Sequence, residues 1–201
     1  VPLTQAYGII EIGLPCINLR HAAEKIDSVG QPLPGFEVRL FDRNAPGNLG
    51  SIGFCGKGLL DAYYDPWQTR AEIMQDGWFH TGDLGEIDED GSLYIRGRAN
   101  EMINIGGMKF FPREVEEVLT SHPAIEEAVV FAARQGNARE FACAQVVSRA
   151  EAKQLPSPAE LRQFCAKRLA HFKVPQEVEF VTTLERTASG KLVRRAVVRE
   201  I

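Results

Sequence analysis

The chain has 201 residues, of which 44% are hydrophobic and 25% are charged. These values are ordinary for a folded globular protein, so they exclude a disordered chain or a collagen-like repeat, and the length suffices for one or two domains. The formal net charge of −4 argues against a nucleic-acid-binding protein, because such proteins neutralise several phosphates with clustered Lys and Arg. No run approaches the roughly 18 consecutive apolar residues of a membrane span, and the first residues lack the features of a signal peptide.

The four cysteines lie far apart among apolar neighbours, without CxxC or Cys/His metal-ligand spacing. We interpret them as reduced core residues, which is typical of a cytoplasmic protein.

The first half of the chain is predicted to be β-rich. Residues 36–40 alternate apolar and polar side chains, as a half-buried strand does, and residues 42–48 have the composition of a turn. Residues 86–95 predict two short strands joined through an Asp-Gly turn. We therefore expect a small barrel-like or twisted sheet over residues 1–97.

The second half alternates helices and strands and predicts a small α+β domain over residues 98–201. The Gly106-Gly107 pair suits a tight hairpin turn, because glycine adopts positive φ without strain. One helix is predicted to begin at Pro112. A second should begin after Ser157, with Glu160 completing a capping box, and should end before Pro175. Buried strands are predicted at residues 125–132, 141–147 and 177–181.

Two segments of the β-rich half have side chains suited to a nucleotide. An adenine could stack on Tyr7, and Glu11 could bind Mg²⁺, although a strand end with a solvated Glu is the simpler interpretation of this segment alone. Asp83 follows a Gly turn and could accept hydrogen bonds from ribose hydroxyls, to which Arg98 could add donors. An Asp that caps a turn explains the second segment equally well.

A further segment, Thr187-Ala188-Ser189-Gly190-Lys191, places a lysine on a glycine-containing turn. Such a lysine can bring one positive charge to a carboxylate or phosphate. The segment lacks the GxxxxGK[ST] spacing and so is not a phosphate-binding P-loop. The alternative is an ordinary surface loop.

Together, and in this order, these segments resemble the ANL superfamily of adenylate-forming enzymes. The resemblance extends along essentially the whole chain. The stretch from Glu101 through Gly107 and on to Glu116 is more similar to the acyl- and aryl-CoA synthetases than to peptide-synthetase adenylation domains. Further matches to the superfamily are Gly30-Gln31-Pro32-Leu33-Pro34-Gly35, Phe111-Pro112-Arg113-Glu114-Val115-Glu116 and Phe172-Lys173-Val174-Pro175.

The resemblance implies an AMP-forming acid:CoA ligase that uses ATP, Mg²⁺ and coenzyme A. A carboxylic acid is activated as acyl-AMP and passed to the CoA thiol. Residues 1–97 would be the carboxy-terminal part of the large AMP-binding domain, and residues 98–201 the small mobile domain. The implied roles are adenine binding for Tyr7 with Gly8, Mg²⁺ binding for Glu11, ribose binding for Asp83 and Arg98, the hinge at Asn100, the pantetheine route at Gly106 and Gly107, and the adenylation step for Lys191.

Ile10 departs from the family pattern, which has Thr at this position. The substitution removes a hydroxyl group that would contact phosphate and leaves open a catalytically impaired binding module. Delivery to a carrier-protein thiol is the other alternative. The phosphate loop of the family would precede Val1, so we expect the 201 residues alone to be inactive.

Overall fold

The computed structural model describes residues 3–42, 48–134, 140–152, 154–188, 190, 192–193 and 199–200. The chain divides into two compact units, Val1–Ala99 and Asn100–Ile201. The sequence placed the change of structure at residue 98, two residues before this division. The fold is mixed α+β, as expected.

The first unit is built almost entirely from short strands. Its single described helix, α1, is one turn long and spans Arg70–Ile73. Its strands are β1 (Ala6–Ile9), β2 (Gly13–Ile17), β3 (Gln31–Pro32), β4 (Phe36–Phe41), β5 (Gly50–Gly56), β6 (Ala62–Tyr63), β7 (Gln68–Thr69), β8 (Phe79–Ile87) and β9 (Leu93–Arg98).

These strands form three sheets. Strands β1, β2 and β3 pair in that order, β4, β5, β8 and β9 form a four-stranded antiparallel sheet, and β6 pairs with β7. The described strands do not close into a barrel, because the four-stranded sheet ends at β4 and β9. The barrel-like part of the expectation is thus replaced by open sheets.

One hydrophobic core joins the two larger sheets of this unit. Ile12 and Cys16, from the sheet of β1–β3, are buried in the same cluster as Ile52, Phe54 and Leu93, from the four-stranded sheet. A backbone bridge between Gly30 and Leu93 also links the two sheets. This packing brings β1 close to β8 and β9, which positions the candidate site.

The second unit has an α+β fold, in which a main sheet is accompanied by two longer helices, α2 (Pro112–Thr120) and α3 (Pro158–Ala166). Its main sheet has the order β14-β13-β12-β15, with an antiparallel pair at the centre and parallel pairs on both sides. A separate hairpin is formed by β10 and β11. The strands are β10 (Ile103–Ile105), β11 (Met108–Phe110), β12 (Ile125–Arg134), β13 (Phe141–Ser148), β14 (Glu177–Phe180) and β15 (Arg199–Glu200).

Local side-chain chemistry explains where both helices begin. In α3, the Ser157 hydroxyl accepts a hydrogen bond from the Glu160 N–H at 3.3 Å, and the Glu160 carboxylate accepts one from the Ser157 N–H at 2.7 Å. The predicted capping box is therefore confirmed. Helix α2 begins at Pro112, as predicted, and the Glu114 carboxylate accepts a hydrogen bond from the Phe111 N–H at 3.1 Å.

Helix α3 ends at Ala166, much earlier than Pro175, so the sequence-based end of this helix is wrong. After the helix, Phe172 packs edge-on against Phe110 of β11, with ring centroids 6.0 Å apart. The Lys173 ammonium pairs with the Glu114 carboxylate at the start of α2. These tertiary contacts hold residues 171–173 as a 3₁₀ turn instead of a continuation of the helix.

Candidate nucleotide and thiol site

Tyr7 and Gly8 lie on β1, next to the tight turn that leads into β2. Tyr7 pairs with Cys16 of β2, and the register shifts between Tyr7 and Ile9. A Cβ atom on Gly8 would lie 2.5 Å from the Gly13 carbonyl oxygen, so only glycine fits at this position. The Tyr7 ring stacks on Phe54 of β5 with a centroid distance of 5.8 Å, and this contact orients the phenol towards the four-stranded sheet.

The structure brings Asp83, Arg98 and Tyr7 together. Asp83 and Arg98 are directly opposite each other on β8 and β9, and the Arg98 Nε lies 3.1 Å from Asp83 Oδ1. The Tyr7 hydroxyl donates to Asp83 Oδ2 at 2.5 Å. We call these three residues the Asp83 cluster.

Because the Asp83 side chain is buried, its carboxylate needs the hydrogen-bond and charge partners that Tyr7 and Arg98 provide. Its side chain is only 8% exposed, whereas that of Arg98 is 55% exposed. An ionised carboxylate removed from water needs hydrogen-bond and charge partners to compensate for lost hydration. The Asp83 N–H also donates to Thr81 Oγ1 at 3.0 Å, which fixes the backbone of the residue.

The protonation of Tyr7 follows from the same surroundings. Burial raises the pKa of the Tyr7 phenol well above its usual value, and the Asp83 carboxylate raises it further. The hydroxyl is therefore a donor at neutral pH. A carboxylate has about four lone-pair positions, so Asp83 can accept from Tyr7 and Arg98 and still bind two hydroxyl groups of a ligand.

Glu11 lies in the turn between β1 and β2. Its Oε1 accepts a hydrogen bond from the Tyr63 hydroxyl at 3.0 Å, and Tyr63 is the last residue of β6. The sequence did not predict a role for Tyr63, because 52 residues separate it from Glu11. The neighbouring Ile10 is 95% exposed, so the residue that departs from the family pattern has no packing role within its unit.

The predicted hairpin of the second unit is present. Gly106 has φ = 59° and Gly107 has φ = 90°, so both occupy the left-handed region. The Gly107 N–H donates to Asn104 Oδ1 at 3.0 Å and completes the turn between β10 and β11. Asn100 is exposed and lies in the 3₁₀ turn Ala99–Glu101.

A groove of about 880 Å³ adjoins this hairpin within the second unit. Its wall is partly apolar, with Met108, Phe141 and Phe172, and partly polar, with Arg162 and His171. Met108 directly follows Gly107, so the groove begins where the hairpin turn ends.

The remaining predicted site residue, Lys191, lies outside the described residues. Within the described ranges, no group of three or more His, Cys, Asp or Glu side chains could hold a metal ion. Among the same residues, no helix has both the length and the hydropathy of a membrane span.

Comparison with known proteins agrees with the resemblance seen in the sequence. Residues 114–191 match the family model of the AMP-binding enzyme C-terminal domain. The chain is 36% identical over 95% of its length to a fatty acid–[acyl-carrier-protein] ligase of Streptomyces coeruleorubidus, and covers 38% of that protein. It is also 36% identical over its whole length to a 2-succinylbenzoate–CoA ligase of Geobacillus kaustophilus, of which it covers 42%.

The fold also matches solved structures of one such ligase. The o-succinylbenzoate coenzyme A synthetase of Bacillus subtilis in complex with AMP superposes with a TM-score of 0.84 at 33% identity, over 96% of this chain and 40% of that protein. The same enzyme in complex with ATP and magnesium ion gives a TM-score of 0.81 at 32% identity, with the same coverage. The chain thus spans about two fifths of the length of these relatives. Residues 114–191 therefore carry the AMP-binding enzyme C-terminal domain, and the chain as a whole is similar to the corresponding part of adenylate-forming ligases.

Proposed function

We propose that the chain is part of an AMP-forming acid:CoA ligase. In this reaction a carboxylate oxygen attacks the α-phosphorus of ATP, the bond to the bridging oxygen breaks, and pyrophosphate leaves. The CoA sulfur then attacks the acyl carbon, loses its proton and displaces AMP. The substrates would be a small carboxylic acid, ATP and CoA, with Mg²⁺ accompanying the nucleotide, in the cytoplasm.

The observation that best supports this proposal is the Asp83 cluster. Asp83 has a fixed orientation, a negative charge and lone pairs to spare, which suit the two neighbouring hydroxyls of a ribose. The exposed guanidinium of Arg98 has further donors for the same nucleotide. Tyr7 with Gly8 would lie against the adenine. The presence of AMP or ATP in similar solved structures agrees with this assignment.

Mg²⁺ fits the surroundings of Glu11. Magnesium is usually bound through one or two carboxylates plus substrate phosphates, and not by an all-protein cage. A single half-buried carboxylate with one oxygen bonded to Tyr63 meets that description. When bound with ATP, the ion supplies charge stabilisation at the phosphates.

We assign the thiol step to the second unit. Gly106 and Gly107 would border the path of the pantetheine arm, because a turn without side chains lets a narrow chain pass close to the backbone. The groove beside Met108 supports this placement. Lys191 would supply positive charge to the adenylation step. Asn100 would be the hinge about which the second unit rotates between the two half-reactions.

A carrier protein is the second candidate acceptor. One relative at 36% identity is named as a ligase of fatty acids to acyl-carrier protein. CoA and a holo-carrier protein present the same pantetheine thiol, so the second unit could serve either.

ATP–pyrophosphate exchange by the intact enzyme tests the proposal. We expect exchange with at least one acid in a panel of aliphatic, aromatic and amino acids, and AMP release on adding CoA. Faster AMP release with holo-carrier protein than with CoA would favour the second acceptor. A binding module impaired by Ile10 would show no exchange with any acid, and that outcome would refute the ligase assignment.

A further inference from the structure

Glu11 is anchored at two points by one short segment, residues 59–63. Its carbonyl oxygen accepts a hydrogen bond from the Leu60 N–H at 2.8 Å. Its side-chain Oε1 accepts one from the Tyr63 hydroxyl at 3.0 Å. The first bond fixes where Glu11 lies, and the second fixes the direction in which its carboxylate points.

Arg70 in turn holds this segment. The Arg70 guanidinium donates to the carbonyl oxygens of Leu59 and Leu60, the latter at 3.0 Å. It also lies 2.9 Å from Asp61 Oδ1, while the Arg70 N–H donates to the Asp61 carbonyl at 2.7 Å. Because three consecutive residues are fixed by one side chain and Leu59 is buried in the core, the Tyr63 hydroxyl approaches Glu11 from a constrained direction.

The donor that meets Glu11 is uncharged. Three other carboxylates of the first unit, by contrast, meet a cationic side chain: Asp83 meets Arg98, Glu86 meets Arg96 and Asp88 meets Lys25. Within the described part of the chain, the Glu11 carboxylate has Tyr63 as its hydrogen-bond partner and has no ion pair.

A phenol orients a carboxylate without neutralising it. The Tyr63 hydroxyl donates to Glu11 Oε1, and a phenol, whose ordinary pKa is about 10, stays protonated at neutral pH. The second carboxylate oxygen, Oε2, keeps its lone pairs, and the negative charge remains available to a cation. These are the properties expected of a ligand that is fixed before the metal arrives.

We propose that Tyr63 is a positioning residue for the Mg²⁺ that accompanies the bound nucleotide. The Tyr63 hydroxyl holds the Glu11 carboxylate in the orientation that meets the ion. This inference rests on the proposed function, in which Glu11 contacts Mg–ATP. Mg²⁺ demands near-ideal octahedral geometry, so the direction of a single carboxylate matters. Hydrogen bonds to metal-binding side chains commonly contribute about 10- to 100-fold to metal affinity.

The direct test is the binding of α,β-methylene-ATP to the intact enzyme by calorimetry, with Mg²⁺ and with EDTA. Tyr63→Phe removes only the hydroxyl group. We expect it to reduce the gain in affinity due to Mg²⁺ by about 10-fold and to leave the affinity in EDTA unchanged. Tyr64→Phe is the matched control, since Tyr64 is 90% exposed, and should change neither value.

A second measurement is the Mg²⁺ dependence of pyrophosphate exchange. Tyr63→Phe should raise the Mg²⁺ concentration that gives half-maximal exchange by about 10-fold. In a Glu11→Gln background, Tyr63→Phe should have no further effect on that concentration, because the residue that Tyr63 positions is no longer a carboxylate ligand.

Three results would overturn the inference: an unchanged Mg²⁺ dependence in Tyr63→Phe, an equal loss of affinity with Mg²⁺ and with EDTA, or a full effect of Tyr63→Phe in the Glu11→Gln background. Each of these requires a wild-type enzyme that binds nucleotide. Failure of the proposed function looks different, because the wild-type enzyme would then show no exchange with any acid, and the role of Tyr63 would fall with it.

Discussion

The residues that we propose to be functional in the two units are held in place by different means. In the first unit, Tyr7, Asp83 and Arg98 come from three strands and are joined through their side chains. In the second unit, Gly106 and Gly107 have no side chains, and their positions follow from left-handed backbone conformations. A site of the first kind should be sensitive to the loss of a functional group, and a site of the second kind to the gain of a side chain.

The largest effect on ligand binding is expected from removing the Asp83 carboxylate, which both Tyr7 and Arg98 contact. Asp83→Ala should weaken binding of AMP and ATP by the same factor, about 10²-fold, because hydrogen bonds to a charged group contribute about 1.5–3 kcal/mol each. The two nucleotides should suffer equally because they have the same ribose. Calorimetric titration of the intact enzyme with each nucleotide measures both affinities.

Asp27→Ala is the matched control for this substitution. Asp27 is an exposed aspartate of the same unit, and its removal should leave both affinities unchanged. Thermal melting of both variants checks that the fold persists. Unchanged nucleotide affinity in a folded Asp83→Ala variant would break the assignment of the Asp83 cluster.

A smaller and more selective effect is expected at the hairpin of the second unit. A Cβ on Gly107 would meet no atom within 4 Å, so Gly107→Leu adds a side chain in open space and strains the turn by about 1–2 kcal/mol. Thioester formation should fall by about 10-fold or more, since misplacement near reacting groups is costly, while pyrophosphate exchange persists. Assays of the two half-reactions separate these effects.

Gly91→Leu is the control that separates the effect of backbone strain from the effect of a side chain at the hairpin of the second unit. Gly91 has φ = 78° and equally open space around its Cβ position, but it lies in the β8–β9 turn of the first unit. It should cost similar stability without slowing thioester formation selectively. If Gly107→Leu slows both half-reactions equally, or behaves like Gly91→Leu, the hairpin has no special role in the thiol step.

Structural features that depend only on residues close together in the sequence were predictable. The capping box of α3 needs only Ser157 and Glu160, and the strands around the Asp88–Ser92 turn need only their own alternation and turn residues. The end of α3 was not predictable in this way. It depends on contacts of Phe172 and Lys173 with residues far away in sequence, and tertiary contacts of this kind override local propensity.

The candidate site shows the same limit. Resemblance to a family predicted Tyr7, Asp83 and Arg98 as binding residues, yet it did not predict that the Tyr7 hydroxyl bonds to Asp83 across 76 residues of sequence. Tyr63 was missed altogether, because nothing in the local sequence Ala62-Tyr63-Tyr64 points to Glu11. Contacts between distant strands require the packing of the two sheets, which spacing alone does not define.

The smallest effect is expected from breaking an ion pair that supports the packing of the two sheets. Its loss should affect the stability of the first unit and not the Asp83 cluster. Lys25, in the loop before β3, lies 2.7 Å from Asp88, in the turn between β8 and β9. Partial burial alone would raise the pKa of Asp88. Hydrogen bonds from Lys25, from the Ser92 N–H and from Tyr94 outweigh this effect and lower the pKa to about 2.

The sign of the pH dependence follows from that depressed pKa. The ionised form of Asp88 is favoured by the folded state, so its contribution is fully present above the unfolded pKa, near 3.8, and is lost as the pH falls towards about 2. Asp88→Asn should therefore lower the melting temperature by a few degrees at pH 5, as expected for an ion pair worth about 1 kcal/mol at most. The difference from the wild-type protein should shrink between about pH 4 and pH 2, because the wild-type carboxyl then becomes neutral as well.

Melting curves of the two proteins from pH 2 to pH 6 measure this difference, with Glu89→Gln as the control at an exposed neighbouring carboxylate. AMP affinity of Asp88→Asn should equal that of the wild-type enzyme at pH 7, because Asp88 supports the loop that joins the sheets and does not belong to the Asp83 cluster. A melting difference that stays constant down to pH 2 would show that Asp88 acts through its shape and not through its charge. A loss of AMP affinity would show that the ion pair and the nucleotide site are coupled through the packing of the two sheets.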